Sequence, residues 1–191
     1  VFATLSGNLF AQSEATAEFL MIAPGARPGG LGEANVALAN DAYATYWNPA
    51  GLAYIRGTQV TGMHANWLPQ LNLGDMNYDF AGAVRHFEGI GTVGLSAIYI
   101  NYGDQTRTDE VGNNLGTFSS FEYAIGLSYG TRLLDNLAVG TTVKYIYSAL
   151  SPFSAGEQLG EGKGSSVALD LGLMYKPDYV PRLTFGMNLQ N

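Results

Sequence analysis

Large apolar side chains alternate with small or polar ones along most of the chain after Thr58. In Phe121–Gly130 the odd positions hold Phe, Tyr, Ile, Leu and Tyr, and the even positions hold Glu, Ala, Gly, Ser and Gly. The same alternation runs through residues 137–148, 167–175 and 183–190. A period of two is that of a β-strand with two unlike faces. With three earlier strands over residues 58–65, 77–87 and 92–102, the pattern predicts about seven strands.

The connections between these strands alternate in length. Short turns are predicted near residues 88–90, 134–136 and 176–178, and long polar loops over residues 66–76, 103–118 and 149–165. Short turns at one end and long loops at the other are typical of an antiparallel outer-membrane β-barrel. A soluble β-sandwich remains the alternative, because its strands alternate in the same way.

Charged residues on the strands predict which face meets which environment. Five charged residues are assigned to the strand face opposite the large apolar side chains: Asp79, Arg85, Glu122, Lys144 and Asp170. In a barrel the apolar face would contact lipid, so these charges are predicted to point into the lumen, where they can be hydrated or paired. In a sandwich the same charges would face solvent.

Composition narrows the function classes. The chain has 191 residues, of which 13% are charged and 12% aromatic, and its net charge is −7. Only nine Lys and Arg residues are present, too few for the clustered phosphate contacts of a nucleic-acid binder. There is no cysteine, and the two histidines, His64 and His86, have no metal-ligand spacing. We therefore predict no metal site, no cofactor and no nucleic-acid partner.

No motif in the sequence predicts an enzyme. The glycine-rich stretch 160–165 superficially resembles a phosphate loop, but Glu157 stands where the first glycine is required, and Gly164 where Ser or Thr should follow the lysine. No Ser, His and Asp arrangement can be singled out either. The sequence therefore favours a protein without catalytic activity.

The first eleven residues resemble the end of a secretory signal peptide. Leu9 and Ala11 occupy the positions three and one before a predicted cleavage site. The expected organisation is a signal-peptide remnant over residues 1–11, an N-terminal plug over 12–56 and the first half of a barrel over 57–191. A bacterial barrel closes with an even number of strands, and only about seven strands can be recognised in residues 57–191. These residues are therefore expected to form only the first half of a barrel.

The segment before the first strand predicts a capped helical turn. Asn48 is a good N-cap and Pro49 suits the first helical position. Trp47 would lie just before the cap and could pack on the following turn through Leu52. The segment is predicted to form a compact plug in or under the barrel wall, with a plain surface helix pair as the alternative.

Several motifs in this segment resemble those of known barrels. Gly-Ala-Arg at 25–27, Gly-Leu-Gly-Glu-Ala at 30–34 and Trp-Asn-Pro-Ala-Gly-Leu at 47–52 resemble the opening of FadL-like outer-membrane β-barrels. Residues 19–24, 66–68, 75–78, 121–124 and 144–148 resemble the PorV/PorQ branch, and the PorV family in particular. The signature residues of the plug are Arg27, Gly30, Gly32, Trp47, Asn48, Pro49 and Gly51.

The resemblance implies an all-β, antiparallel transmembrane barrel of about fourteen strands when complete, in the outer membrane of a Gram-negative bacterium. It further implies a noncatalytic component of the type IX secretion system. Such a protein binds the C-terminal signal domains of secreted cargo beside the translocon and passes them to the surface attachment machinery. Its other contact would be outer-membrane lipid.

The long loops are the expected partner-binding regions, with Phe118 and Phe153 as candidate contacts. A FadL-like transporter of long-chain fatty acids or other hydrophobic solutes is the alternative function. That function needs an apolar inner pocket, whereas the predicted inward positions are mostly small or charged. The sequence leaves PorV, PorQ and a paralogue open.

Overall fold

A computed structural model of the chain describes residues 17–67, 76–109, 111–151, 162–180 and 182–190. It contains one seven-stranded antiparallel sheet in which each strand pairs with its neighbours in the sequence. The strands are β1 Thr58–Asn66, β2 Asn77–Phe87, β3 Gly91–Thr108, β4 Asn114–Leu134, β5 Leu137–Ser151, β6 Gly162–Tyr175 and β7 Phe185–Leu189. The all-β, antiparallel prediction is confirmed. The sheet is not closed: β1 and β7 form its two edges.

Four short helices precede the sheet. They are a 3₁₀ helix Glu18–Met21, α1 Ala26–Gly30, α2 Ala44–Trp47 and a second 3₁₀ helix Pro49–Tyr54. None of the helices in the described part of the chain is long and apolar enough to cross a membrane. The helices and their connections, residues 17–56, are named the N-terminal segment here.

The N-terminal segment packs against one face of the sheet, which we call the inner face. In β4 this face carries Ala124, Gly126 and Ser128, whereas Ile125 and Leu127 lie on the opposite, outer face and are 47% and 58% exposed. The core forms between segment and sheet, with Trp47 and Leu52 packed among the buried residues. Burial on one side only produces the period of two seen in the sequence.

The facing prediction was wrong for Asp79 and Arg85. In β2 the large apolar residues Tyr78, Phe80 and Val84 point to the inner face and are at most 2% exposed. Asp79 lies opposite Tyr99 in the register, and Arg85 opposite Val93, so both charges are on the outer face. The cause is the N-terminal segment, which presents an apolar surface to β2. The large apolar residues of β2 therefore lie on the inner face, whereas those of the later strands lie mostly on the outer face.

The predicted loop over residues 103–118 is mostly strand. β3 continues to Thr108 and β4 begins at Asn114, with pairs from Asp104↔Ser119 to Thr108↔Asn114. Thr, Ser and Asn can form a paired strand without an apolar face, so alternation gave no signal here. The loops over 66–76 and 149–165 lie largely outside the described residues.

A side chain closes the turn between β3 and β4. Asp109 Oδ1 accepts hydrogen bonds from the backbone N–H groups of Val111 (3.0 Å) and Asn113 (2.7 Å), and its Oδ2 accepts from Asn113 Nδ2 (2.8 Å). These bonds, with that from the Asn113 side chain strongest, lower the pKa of Asp109. They favour the ionised carboxylate and so link the turn to pH.

Candidate functional site

Asn48 joins three parts of the structure through one side chain. Its Oδ1 accepts a hydrogen bond from the Ala50 N–H at 3.0 Å, which caps the 3₁₀ helix that starts at Pro49, as the Asn-Pro step predicted. Its Nδ2 donates to Val36 O at 2.9 Å and to Leu173 O of β6 at 3.1 Å. Asn48 itself is fully buried. The residue therefore fixes the N-terminal segment to the sheet as well as capping the helix.

Three glycines make the seat on which the Asn-Pro-Ala step rests. Gly130 of β4 lies opposite Gly140 of β5, and Gly140 lies opposite Gly172 of β6, so they form a continuous row across the inner face. A Cβ added at any of them would come within 3.0 Å of Asn48, Pro49, Ala50 or Leu52 atoms. We call these residues the glycine row. The sequence shows that small residues recur on one face of these strands. Their role as a seat cannot be read from it, because that role depends on the register of the strands.

The row continues onto β7 with a polar contact. Asn188 lies opposite Gly172, and its Nδ2 donates to Trp47 O at 2.9 Å. Trp47 Nε1 in turn donates to Pro24 O at 3.1 Å. Gly51 packs directly on the backbone of Ala39, where a Cβ would collide with the carbonyl group. Trp47, Asn48, Pro49 and Gly51 are thus buried packing residues rather than groups open to a ligand.

The other signature residues are at the surface. Arg27 Nη1 donates to Asn40 Oδ1 at 3.0 Å and lies 3.4 Å from Asp41 Oδ2, holding the early part of the segment together. Gly32 has a φ of 62°, which glycine adopts without strain. Gly30 is exposed with open space around it, and nothing in the structure explains a glycine there.

The remaining predicted charges lie on the inner face. Lys144 Nζ is 2.9 Å from Asp170 Oδ1, and the two side chains are only 14% and 2% exposed. Tyr102 donates its hydroxyl hydrogen bond to Glu122 Oε2 at 2.5 Å. Both carboxylates are thereby partnered in a region shielded from water. Asp79, on the outer face, instead contacts His64 Nδ1 at 2.6 Å.

An apolar cluster occupies the inner face between the Lys144–Asp170 pair and Glu122, which lies closer to the long-loop end. It consists of Phe19, Tyr78, Phe80, Ile98, Ile100, Ala124, Ile146 and Ala168. Two tyrosines tie the start of the N-terminal segment to it: Tyr78 OH donates to Ile22 O at 2.9 Å, and Tyr46 OH to Leu20 O at 2.8 Å. Burial, with smaller contributions from Glu33 and Asp170, raises the pKa of Tyr46 to about 12.

The ends of β3 and β4 form a ribbon that extends beyond their neighbours. β2 pairs with β3 as far as Asn101, and β5 pairs with β4 from Phe121, so in the described sheet residues 104–108 pair with residues 114–119 beyond the ends of β2 and β5. Five residues of extended strand reach about 17 Å. Phe118 lies in this ribbon, opposite Gln105, and is half-buried. Phe153 lies outside the described residues.

None of these groups forms a recognisable catalytic or metal centre. Among the described residues no cluster of three His, Cys, Asp or Glu side chains is placed to hold a metal ion. Lys144 pairs with Asp170 and Tyr102 with Glu122, and the Asn-Pro-Ala step is packed against glycines. The geometry supports a packed segment on a sheet, together with an exposed ribbon.

Comparison with known proteins identifies the family. A search of curated proteins finds no match. The family model described as "Type IX secretion system protein PorV" matches residues 11–186, which include the N-terminal segment, the glycine row and the ribbon. The resemblance read from the sequence is thereby confirmed for PorV. Because the match covers most of its length, the chain belongs to the PorV family of type IX secretion system proteins.

Proposed function

We propose that this chain is a noncatalytic part of the outer-membrane secretion machinery that binds the C-terminal domains of secreted cargo. The PorV match over residues 11–186 carries the proposal, since PorV proteins are outer-membrane components of type IX secretion. In this role the protein receives cargo beside the translocon and passes it to the surface attachment machinery. The described sheet would be one part of a barrel of about fourteen strands.

The outer face supports contact with lipid. Its middle is aliphatic and exposed, with Leu127, Leu169 and Leu171 each at least 50% exposed. Exposed aromatic residues border this band, Tyr99 and Tyr145 toward the long loops and Phe87, Tyr129 and Phe185 toward the short turns. Phe121 and Tyr129 on β4 are eight residues apart, about 26 Å along the strand. An apolar band about 25 Å tall between aromatic girdles is characteristic of outer-membrane barrels.

The ribbon supports a role in partner binding. It lies at the long-loop end, which faces the cell exterior in barrels of this kind. Residues 104–108 and 114–119 have no third strand beside them in the described sheet, so each strand has a backbone edge that another chain could join. Its exposed Thr, Asn and Gly residues suit adaptable contacts with a protein.

Cargo capture by the full-length protein tests the proposal. Residues 104–118 would be replaced by a short Gly-containing turn, and the variant incubated with a cargo C-terminal domain. We expect co-purification of cargo to fall by at least tenfold while the yield of folded protein in the outer membrane is unchanged. As a matched control, Asp135 and Asn136 in the opposite turn would be replaced by a similar sequence, which should leave capture intact. Equal capture by all three proteins would contradict the proposal.

A FadL-like transporter of hydrophobic solutes is the second candidate, and one observation favours it. The inner face is mostly small or polar along β4 to β6, but it also carries the apolar cluster around Phe80 and Ile100. Phe19 from the N-terminal segment fills that cluster and is only 1% exposed. Transport would therefore require this part of the segment to move. Micromolar binding of a long-chain fatty acid that Phe80→Ala weakens would favour the transporter over a packed core.

A further inference from the structure

A cavity of about 300 Å³ lies at the short-turn end of the sheet, away from the ribbon. It is open to solvent and is lined by the end of the N-terminal segment, the turn between β2 and β3, and the end of β4. Its polar lining comes from Arg56, His86, Thr131 and Arg132. None of these residues takes part in the glycine row or the inner-face ion pair. The cavity is therefore separate from the contacts that hold the N-terminal segment on the glycine row.

The orientation of Arg56 follows from its contact with His86. Arg56 Nη1 lies 3.2 Å from His86 Nε2, and His86 Nδ1 lies 3.0 Å from Thr92 Oγ1. A guanidinium group can only donate, so His86 Nε2 must accept, which leaves the ring proton on Nδ1 to donate to Thr92. Thr92 is fully buried, which fixes the imidazole and through it Arg56. The guanidinium retains further N–H donors for a ligand.

Arg132, which lines the cavity, and Lys176 contact the same aromatic ring. The Arg132 guanidinium lies 5.1 Å from the centre of the Tyr54 ring, and Lys176 Nζ lies 3.5 Å from it. Burial and the charge of Arg132 lower the pKa of Lys176. The Tyr54 hydroxyl oxygen is buried without a hydrogen-bond partner in the described structure.

In the part of the chain that the structure describes, these cations have no carboxylate partner. Among the residues that the structure describes, none of Arg56, Arg132 and Lys176 has a carboxylate within 4.0 Å. This is unexpected in a chain with 16 acidic and nine basic residues. The neighbouring carboxylate of Asp178 instead accepts a hydrogen bond from Asn136 Nδ2 at 3.0 Å. Like charges gathered without a counter-ion favour binding of an anion.

We propose that this cavity binds a phosphate group, with Arg56 and Arg132 as its guanidinium donors and Lys176 as the supporting charge. Two guanidinium groups and an ammonium match the charge and several oxygen atoms of a phosphate better than the single charge of a carboxylate. The phosphate can come from a phospholipid headgroup or from a free phosphate compound. The binding site itself does not depend on the proposed cargo function.

Binding to the full-length protein in detergent, stripped of lipid, tests the site. Inorganic phosphate would be the soluble probe in equilibrium dialysis, and phosphatidylglycerol would be added back and the molecules bound to the folded protein counted by native mass spectrometry. Arg56→Gln and Arg132→Gln should each weaken binding by about tenfold or more, since each removes a charge-assisted interaction. Arg107→Gln, in the ribbon, removes an equal charge at the other end and should change neither readout.

The two probes distinguish the sources of the phosphate. Binding of inorganic phosphate that both glutamine variants lose indicates a free phosphate compound, whereas retention of lipid alone, lost in the same variants, indicates a headgroup. If the glutamine variants do not fold, Arg56→Lys and Arg132→Lys take their place in the same measurements, because they keep the charge but remove the guanidinium group. The proposal is overturned if neither probe binds the wild type, if acetate competes as well as phosphate, or if Arg107→Gln weakens binding equally. Cargo capture is a separate readout, so failure here leaves that function standing.

Discussion

Gly140→Ala tests how the N-terminal segment is held. Gly140 is the middle residue of the glycine row, and an added Cβ would come within 3.0 Å of three backbone atoms, the carbonyl carbon and oxygen of Pro49 and the nitrogen of Ala50. Backbone atoms anchored by the Asn48 hydrogen bonds cannot rotate away as a side chain would. Either β5 or the segment must move, and such overpacking costs about 1–3 kcal/mol.

The assay should report on the segment and on overall stability. The chain has two tryptophans, so a Trp67→Phe background leaves Trp47, which is 7% exposed, as the only one. We expect Gly140→Ala to lower the free energy of unfolding in detergent by about 1–3 kcal/mol and to increase quenching of Trp47 fluorescence by acrylamide. The quenching distinguishes a displaced segment from a general loss of stability.

A second alanine variant is the matched control. Gly164 lies on the same sheet, in β6, where an added Cβ would meet only open space and the φ is not strained. Gly164→Ala should therefore be neutral or slightly stabilising, because alanine restricts the unfolded chain. If Gly140→Ala matched Gly164→Ala in both stability and quenching, the glycine row would not be the seat of the segment.

Individual contacts lead to three further predictions. Asn48→Ala should lower the free energy of unfolding by about 1–3 kcal/mol, since it removes the cap and leaves the partly buried carbonyl groups of Val36 and Leu173 without this donor. Asn48→Asp, which keeps the cap acceptor, should restore the cap without restoring those two bonds. Lys144→Met should cost about 3–5 kcal/mol by removing the cation that balances the buried Asp170 carboxylate, and adding Asp170→Leu should recover much of that loss in denaturant unfolding. Because the pKa of Asp109 is lowered in the folded chain, its contribution to the turn is complete above the unfolded value of about 3.9 and is lost as pH falls through the folded pKa. Hydrogen exchange at the Asn113 amide should follow that loss, and Asp109→Asn should abolish the pH dependence; an unchanged profile would contradict the assignment.

The strands were predictable because their side chains face two different environments. β2 has the predicted bounds, Asn77–Phe87, and β6 ends at Tyr175 as expected. The alternation was misleading in β2, where the large apolar residues Tyr78 and Phe80 lie on the inner face under the N-terminal segment, so Asp79 was assigned to the wrong face. It also failed in the ribbon, where polar residues pair without an apolar face.

The candidate site was only partly predictable. The capping role of Asn48 follows from local chemistry and could be read from two adjacent residues. The glycine row depends on the register of three strands, which the sequence does not supply. Likewise Arg56 and Arg132 are 76 positions apart in the sequence and meet only through the fold. A signal was available for the row, since glycines recur on the small face of successive strands.

Cross-linking in cells that secrete cargo tests the central claim most directly. A photoreactive amino acid would be placed at Thr106 in the ribbon and, as a control, at Asp135 in the opposite turn. The account predicts an adduct between Thr106 and cargo that carries its C-terminal domain, and none from the control position. Absence of any adduct at Thr106, or equal adducts with cargo that lacks the domain, would contradict it.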